Sequence, residues 1–237
     1  MFGKEAKSMT PTCYMCNAEE TGKEHVPPQC LFPEEKDMPG TCFRQNPIKV
    51  PSCDTHNSAK SKDDEYLLFV LASHFGNNIV AASQILTKVL RALRRRPHLQ
   101  SIYTKTTKDV LLDGAETIAF QFERRRIDQE LDHIARGLYY NEFMHKWDKR
   151  IAIHSPAMMV MEDKNATLVN RTTQNMAAAA AFFFDDAPRK GAHPDVFWYQ
   201  MHAEPENERL VVRMCFYQGV EVIALSDPKL KENAEQE

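Results

Sequence analysis

Apolar residues at Ile79, Ala82, Leu86, Val89, Leu90 and Leu93 recur every three or four positions, which predicts a helix over roughly 78–96, closed by Pro97. Its opposite face carries Gln84, Lys88, Arg91 and Arg95, with Arg94 and Arg96 adjacent. Ile127, Leu131, Ile134 and Leu138 mark a second long helix near 124–145. The run Met176 to Ala181 is among the strongest helix formers here and places a helix over 165–184. An earlier helix is expected to start near Ser58. Asp63, Asp64 and Glu65 suit the positive end of its dipole, and its apolar run from Tyr66 ends before Gly76. Alternation predicts strands at 117–122, 150–161, 196–202, 209–217 and 220–225, the last two joined by a tight turn at Gln218-Gly219. Residues 22–26 read as a short strand with 47–50 as its antiparallel mate. Between them, Pro27, Pro28, Pro33 and Pro39 oppose regular structure.

This order predicts an α+β chain with three units. They are a small N-terminal unit over 13–75, a basic helix or linker over 78–97, and an accessory α+β unit over 108–228 that ends in an antiparallel sheet. Residues 1–12 read as a loose leader and the charged segment from Lys229 as a frayed tail. Hydrophobic residues at 43% and charged residues at 27% fit a globular protein, and the longest apolar run, 176–184, is too short to cross a membrane. The first residues lack the apolar core of a signal peptide. Six cysteines without such a signal predict reduced thiols in the cytoplasm, used for metal rather than disulfides. The net charge of −3 means that any nucleic-acid surface must be local.

The segment 13–57 has little periodicity and needs a cross-link. It carries Cys13-Tyr14-Met15-Cys16 and, later, Cys53-Asp54-Thr55-His56. Two pairs at the same step can close one tetrahedral structural zinc site, so Cys13, Cys16, Cys53 and His56 are the expected zinc ligands. Cys30 and Cys42 lie between the pairs as rival ligands; with Cys215, they are read as packing residues. Glu24-His25-Val26-Pro27 lies between the pairs, and Asn57, Ser58, Ala59 and Lys60 follow the second. A carboxylate beside an imidazole supplies the parts of a hydrolytic centre.

In this order the motifs Cys-x2-Cys, Glu-His-Val-Pro and Val-Pro-Ser-Cys-x2-His-Asn-x2-Lys resemble the HNH endonuclease family in its zinc-containing form, over roughly residues 13–67. The resemblance implies a ββα-metal module in which His25 is the general base that activates water against a phosphodiester. It implies that Glu24 and Asn57 hold a catalytic magnesium or manganese ion, and that Asn46 orients the base. Asn57 stands where the family usually has His, as in HNN-type variants. His56 stands where many relatives have cysteine, so it is either the fourth zinc ligand, the preferred reading, or the family's terminal His.

Lys60 and Lys62 are candidate phosphate contacts, as are Lys88, Arg91 and Arg95 on the basic helix. Residues 108–228 carry no motif that translates into chemistry. His154, His193 and Asp195, like the aromatic residues from Phe197 to Tyr217, read as structural. The C-terminal unit could recognise a target or form a homodimer. The expected function is a metal-dependent endonuclease acting on nucleic acid, DNA by resemblance. The alternative is a zinc-dependent binding or adaptor module without catalysis.

Overall fold

A computed structural model describes residues 11–57, 61–95, 107–112, 115–161 and 164–228. It is a mixed α+β structure with antiparallel sheets. Strand β1 (Gly22–His25) pairs antiparallel with β2 (Lys49–Ser52), placing Glu24 opposite Val50 and His25 opposite Lys49. Between them the proline-rich segment folds irregularly, as its composition predicts. Helix α1 (Ser61–Ala72) follows, then α2 (Ile79–Gln84), a π-helical turn (Ile85–Val89) and α3 (Leu90–Arg95). A hairpin of β3 (Thr107–Leu112) and β4 (Ala115–Phe120) leads into the long α4 (Arg124–Phe143). Strand β5 (Ala152–His154), α5 (Ala166–Phe183), β6 (Lys190–His193), β7 (Phe197–Glu204), β8 (Arg209–Phe216) and β9 (Val220–Ser226) complete the chain. The last five strands form one antiparallel sheet in the order β5-β9-β8-β7-β6.

One hydrophobic core joins the N-terminal segment, α1, α4 and the five-stranded sheet, and α5 packs on the sheet through a second, smaller cluster. Val26, Leu31 and Val50 from the N-terminal segment belong to the first, as do Leu67 and Leu71 of α1, Leu131 and Ile134 of α4, and Met214 and Tyr217 of the sheet. Gly137 lets α4 approach the end of β1: a Cβ there would lie 2.6 Å from Val26 Cγ2. Tyr217 is fully buried and its hydroxyl donates to the Leu31 carbonyl at 2.6 Å, tying the sheet to the N-terminal loop.

The helix expected over 78–96 forms, but it is rotated from the expected face and interrupted by the π turn. Ile79 and Leu86 are 76% and 69% exposed, whereas Val80, Ala81 and Gln84 are buried. The loop after β1 decides this, because its buried carbonyls need donors. Gln84 Nε2 reaches the Leu31 oxygen at 2.8 Å and the Cys30 oxygen at 3.2 Å. Lys88 Nζ donates to the Cys30 oxygen at 2.9 Å, and Arg91 clamps Asp37 with both terminal nitrogens, at 2.5 and 2.7 Å. The polar face therefore turns inward.

Of the strand expected over 150–161, only Ala152–His154 forms. The chain then turns at Ser155, whose carbonyl accepts from Met158 N–H and whose hydroxyl donates to the Glu221 oxygen at 2.6 Å. At the final hairpin the left-handed residues are Tyr217 and Gln218, at φ 51° and 61°, rather than Gly219. Gly219 is required by proximity instead, since a Cβ would lie 2.6 Å from the backbone of Gly76. Among the described residues, no helix is long and apolar enough to cross a membrane.

Candidate metal centre

Two tight turns bring their ligands to one point. The first is anchored by the Cys13 N–H on the Ala18 oxygen at 2.9 Å and the Tyr14 N–H on the Pro51 oxygen at 2.8 Å. Lys146, beyond α4, reaches back to the Cys16 oxygen at 2.6 Å and the Thr12 hydroxyl at 2.9 Å. The second turn is a single 3-10 turn, Asp54–His56, which begins directly after β2. Asp54 Oδ1 accepts from the Thr21 hydroxyl at 2.8 Å, fastening this turn to the start of β1.

Ligand atoms of Cys13, Cys16, Cys53 and His56 all lie within 4.8 Å of one another. Cys16 Sγ is 3.8 Å from Cys53 Sγ, and His56 Nδ1 lies 3.3 Å from Cys53 Sγ and 3.6 Å from Cys13 Sγ. Tetrahedral zinc with ordinary bond lengths would set sulfur–sulfur edges of about 3.8 Å and sulfur–nitrogen edges of about 3.6 Å. The donor set therefore fits a zinc-sized ion, with His56 turned to the sulfurs through Nδ1. The Met15 N–H points at Cys13 Sγ at 3.4 Å, an outer hydrogen bond suited to a thiolate ligand. Burial pushes the Cys53 thiol up, but the His56 backbone N–H, the His56 ring and the two neighbouring cysteines bring it down to about 6. Cys30 and Cys42 stand apart from the cluster: the first donates to the Asp64 oxygen at 3.3 Å, and the second is exposed.

The expected catalytic residues are placed on and beside the same hairpin. Glu24 is 5% exposed, on the inner face of β1 with Val50. Its Oε2 accepts from the Ser52 hydroxyl at 3.4 Å. Burial, and then the Glu24 carboxylate, hold the neighbouring Tyr14 phenol well above its ordinary value. His25 is half-buried at the end of β1. Burial, then Lys49 across the ladder, then Arg44, lower its pKa below the ordinary imidazole value. Asn57 Nδ2 donates to the Lys23 oxygen at 3.4 Å, so the polar turn closes onto β1 through backbone. Asn46, in the left-handed region at φ 50°, lines a hollow with Val26, Phe43 and His193. Among the described residues, the Cys/His group is the one cluster of three or more metal-binding side chains.

Of the expected nucleic-acid contacts, Lys62 and Arg95 are exposed, Lys88 and Arg91 bind the loop, and Lys60 lies outside the described residues. A buried polar group behind the hairpin had no signature beyond the spacing of Glu130 and His133 on α4. Glu130 Oε1 lies 3.8 Å from His133 Nδ1, and the His133 ring meets His56 edge-on at 6.0 Å between centroids. No family model, curated protein or solved structure matches the chain. The likeness to HNH endonucleases therefore rests on the motifs themselves.

Proposed function

We propose that the protein hydrolyses phosphodiester bonds in nucleic acid, with His25 as the general base of an HNH-like module stapled by zinc at Cys13, Cys16, Cys53 and His56. One observation carries the reading: His25 ends a hairpin closed by that cluster, and it is flanked by two cations, Lys49 and Arg44. Burial first, and then the cations, disfavour imidazolium, so His25 is neutral and able to accept a proton near neutral pH. The same positive charge favours a phosphate beside it. Lys62, exposed at the start of α1, is a further candidate phosphate contact. DNA is the substrate proposed, by likeness to the family. A magnesium or manganese requirement belongs to the proposal only through that likeness, and no step is assigned to Glu24 or Asn57.

The burial of Glu24 favours a second reading, a zinc-stabilised nucleic-acid-binding or adaptor module without catalysis. One experiment separates the two. Plasmid and single-stranded DNA and RNA are incubated with the protein in magnesium, manganese or chelator, beside His25→Ala. Cleavage by wild type that drops by about 10²–10⁴-fold in His25→Ala, with fold and bound zinc retained, is the expected result. Equal cleavage by both proteins would remove His25 from the mechanism. Binding without cleavage in every condition would establish the adaptor reading.

A further inference from the structure

A hollow lies between the His25 hairpin and the C-terminal sheet. One part of its lining belongs to the hairpin: Val26 and Pro27 directly follow His25, and Ile48 directly precedes Lys49. Another part is Ala192 and His193 of the edge strand β6, with Phe197 of β7. Phe32 and Phe43 add two rings, and His193 meets them edge-on at 6.2 and 5.7 Å between centroids. His193 Nε2 donates to the Gln45 oxygen at 3.1 Å and so ties the sheet to the loop before β2. With its open side included, the hollow holds about 420 Å³, an ordinary size for a small-ligand site. Its walls are mostly carbon. The polar side chains among them include Arg44, Gln45 and Asn46, of which the two amides are exposed. Arg44 belongs both to this lining and to the pair of cations that bear on His25. It is held in place by the Phe32 oxygen at 3.1 Å and by Glu34 at 3.4 Å.

On the reading that the His25 hairpin is a nucleic-acid site, on which this step rests, we propose that the hollow receives one unstacked nucleobase of the bound strand. The protein then prefers single-stranded nucleic acid to an intact duplex. Contiguity carries the assignment. A phosphate drawn to Lys49 and Arg44 stands beside residues that line the hollow, and a nucleotide's base is only one sugar away from its phosphate. Stacking on aromatic side chains asks for no more than a π face, which every base has. The Gln45 and Asn46 amides each carry donors and an acceptor for the edge of a base. An apolar peptide side chain would use the rings but leave both the cations and the amides without a role. A duplex keeps its bases inside the stack, and withdrawing one costs free energy that a single strand is spared. The C-terminal sheet, which carries no chemical motif, thereby supplies part of the recognition surface.

The test uses the full zinc-loaded chain without added magnesium or manganese, so that binding is read apart from cleavage. Fluorescence anisotropy follows a short labelled single-stranded DNA, the same strand annealed to its complement, and the same strand with its bases removed. Wild type should bind the intact single strand roughly tenfold tighter than either of the others. Ala192→Trp, at an exposed position of the lining, should obstruct the hollow and erase that preference while the circular dichroism spectrum stays unchanged. It should leave binding of the base-free strand and the slope of affinity against salt as they were, because phosphate contacts set both. Gln45→Ala should weaken the same preference from the loop side without adding bulk. Lys49→Ala should do the opposite, flattening the log–log salt slope by about 0.7 and keeping the preference for bases. Equal binding of all three probes would overturn the proposal. So would an Ala192→Trp protein that keeps the preference, or one that loses the base-free strand equally. If wild type still cleaves in either case, the nuclease reading survives and only the base site falls. A chain that binds none of the probes overturns both.

Discussion

His25 and Glu24 are neighbours in sequence and opposed in space, because successive side chains of a strand point to opposite faces. Glu24 goes inward to Ser52 and the Tyr14 region. His25 goes outward to Lys49, which pairs with it directly across the ladder. That placement has a consequence for titration. Burial, Lys49 and Arg44 all disfavour the imidazolium, so the folded pKa lies below the ordinary 6.5. The unfolded chain then binds this proton more readily, so the contribution to stability is present above pH 6.5 and is lost as pH falls through the folded value. An NMR titration of His25 should show a midpoint below 6.5, and Lys49→Ala should move it upward towards that value. If the protein cleaves, the acid limb of its pH–rate profile should move with it. A wild-type midpoint at or above 6.5 would remove the cationic setting on which the general-base role rests.

At the scale of elements, α4 is the support that fixes the hairpin. Its Gly137 is an interior helix glycine, where alanine ordinarily gains up to about 1 kcal/mol. Here the added methyl would meet Val26, whose Cγ2, Cγ1 and Cβ would lie 2.6, 3.0 and 3.4 Å away. Valine is stiff at χ1 and cannot swing clear. Gly137→Ala should therefore destabilise the protein by about 1–3 kcal/mol in urea unfolding, and combining it with Val26→Ala should recover part of the loss. A stabilised Gly137→Ala would mean that helix and hairpin are not in contact as described. The π turn and the inward rotation of α2 and α3 belong to the same scale. Gln84, Lys88 and Arg91 satisfy a loop that lacks its own hydrogen-bonding ladder.

For the whole molecule, zinc on the Cys/His cluster would be one of several ties that hold 13–56 in place. Others are the common core, Tyr217 on Leu31 and Lys146 on the first turn. Loss of the ion should therefore loosen this segment and lower the stability of the entire chain. Cys53→Ser should abolish zinc binding and lower Tm by roughly 10 °C, with new proteolysis confined first to 11–57. Acid should act in the same direction. With the Cys53 thiol near 6 instead of 9, the thiolate is favoured by the fold above that point, and its contribution disappears as pH falls through about 6. Zinc retention measured by gel filtration should decline as the pH falls, because protons compete with the ion for the thiolates. A well-folded protein without zinc at pH 7 would contradict this.

The sequence by itself determined the local elements and the ligand group. Helices near 124–145 and 165–184 formed as α4 and α5, since periodicity and alanine content act within the segment itself. Cys13, Cys16, Cys53 and His56 were legible because ligand spacing within a tight turn is a short-range property. The strands at 22–26 and 47–50 were visible as well, and they pair as expected with a shift of two residues at β2. Tertiary structure decided which face of each element turns inward. The spacing of Ile79 and Leu86 puts them on the apolar face of the helix, yet they lie outside because the carbonyls of Cys30 and Leu31 recruit Gln84 and Lys88. Nothing within the helix records the needs of a loop fifty residues away. The same holds for Glu24: sequence supplies an acid beside a histidine, but only the folded hairpin buries the acid with the Ser52 hydroxyl and leaves the histidine half-buried opposite Lys49. Backbone preference is local, whereas the satisfaction of buried polar groups is settled only when distant segments meet.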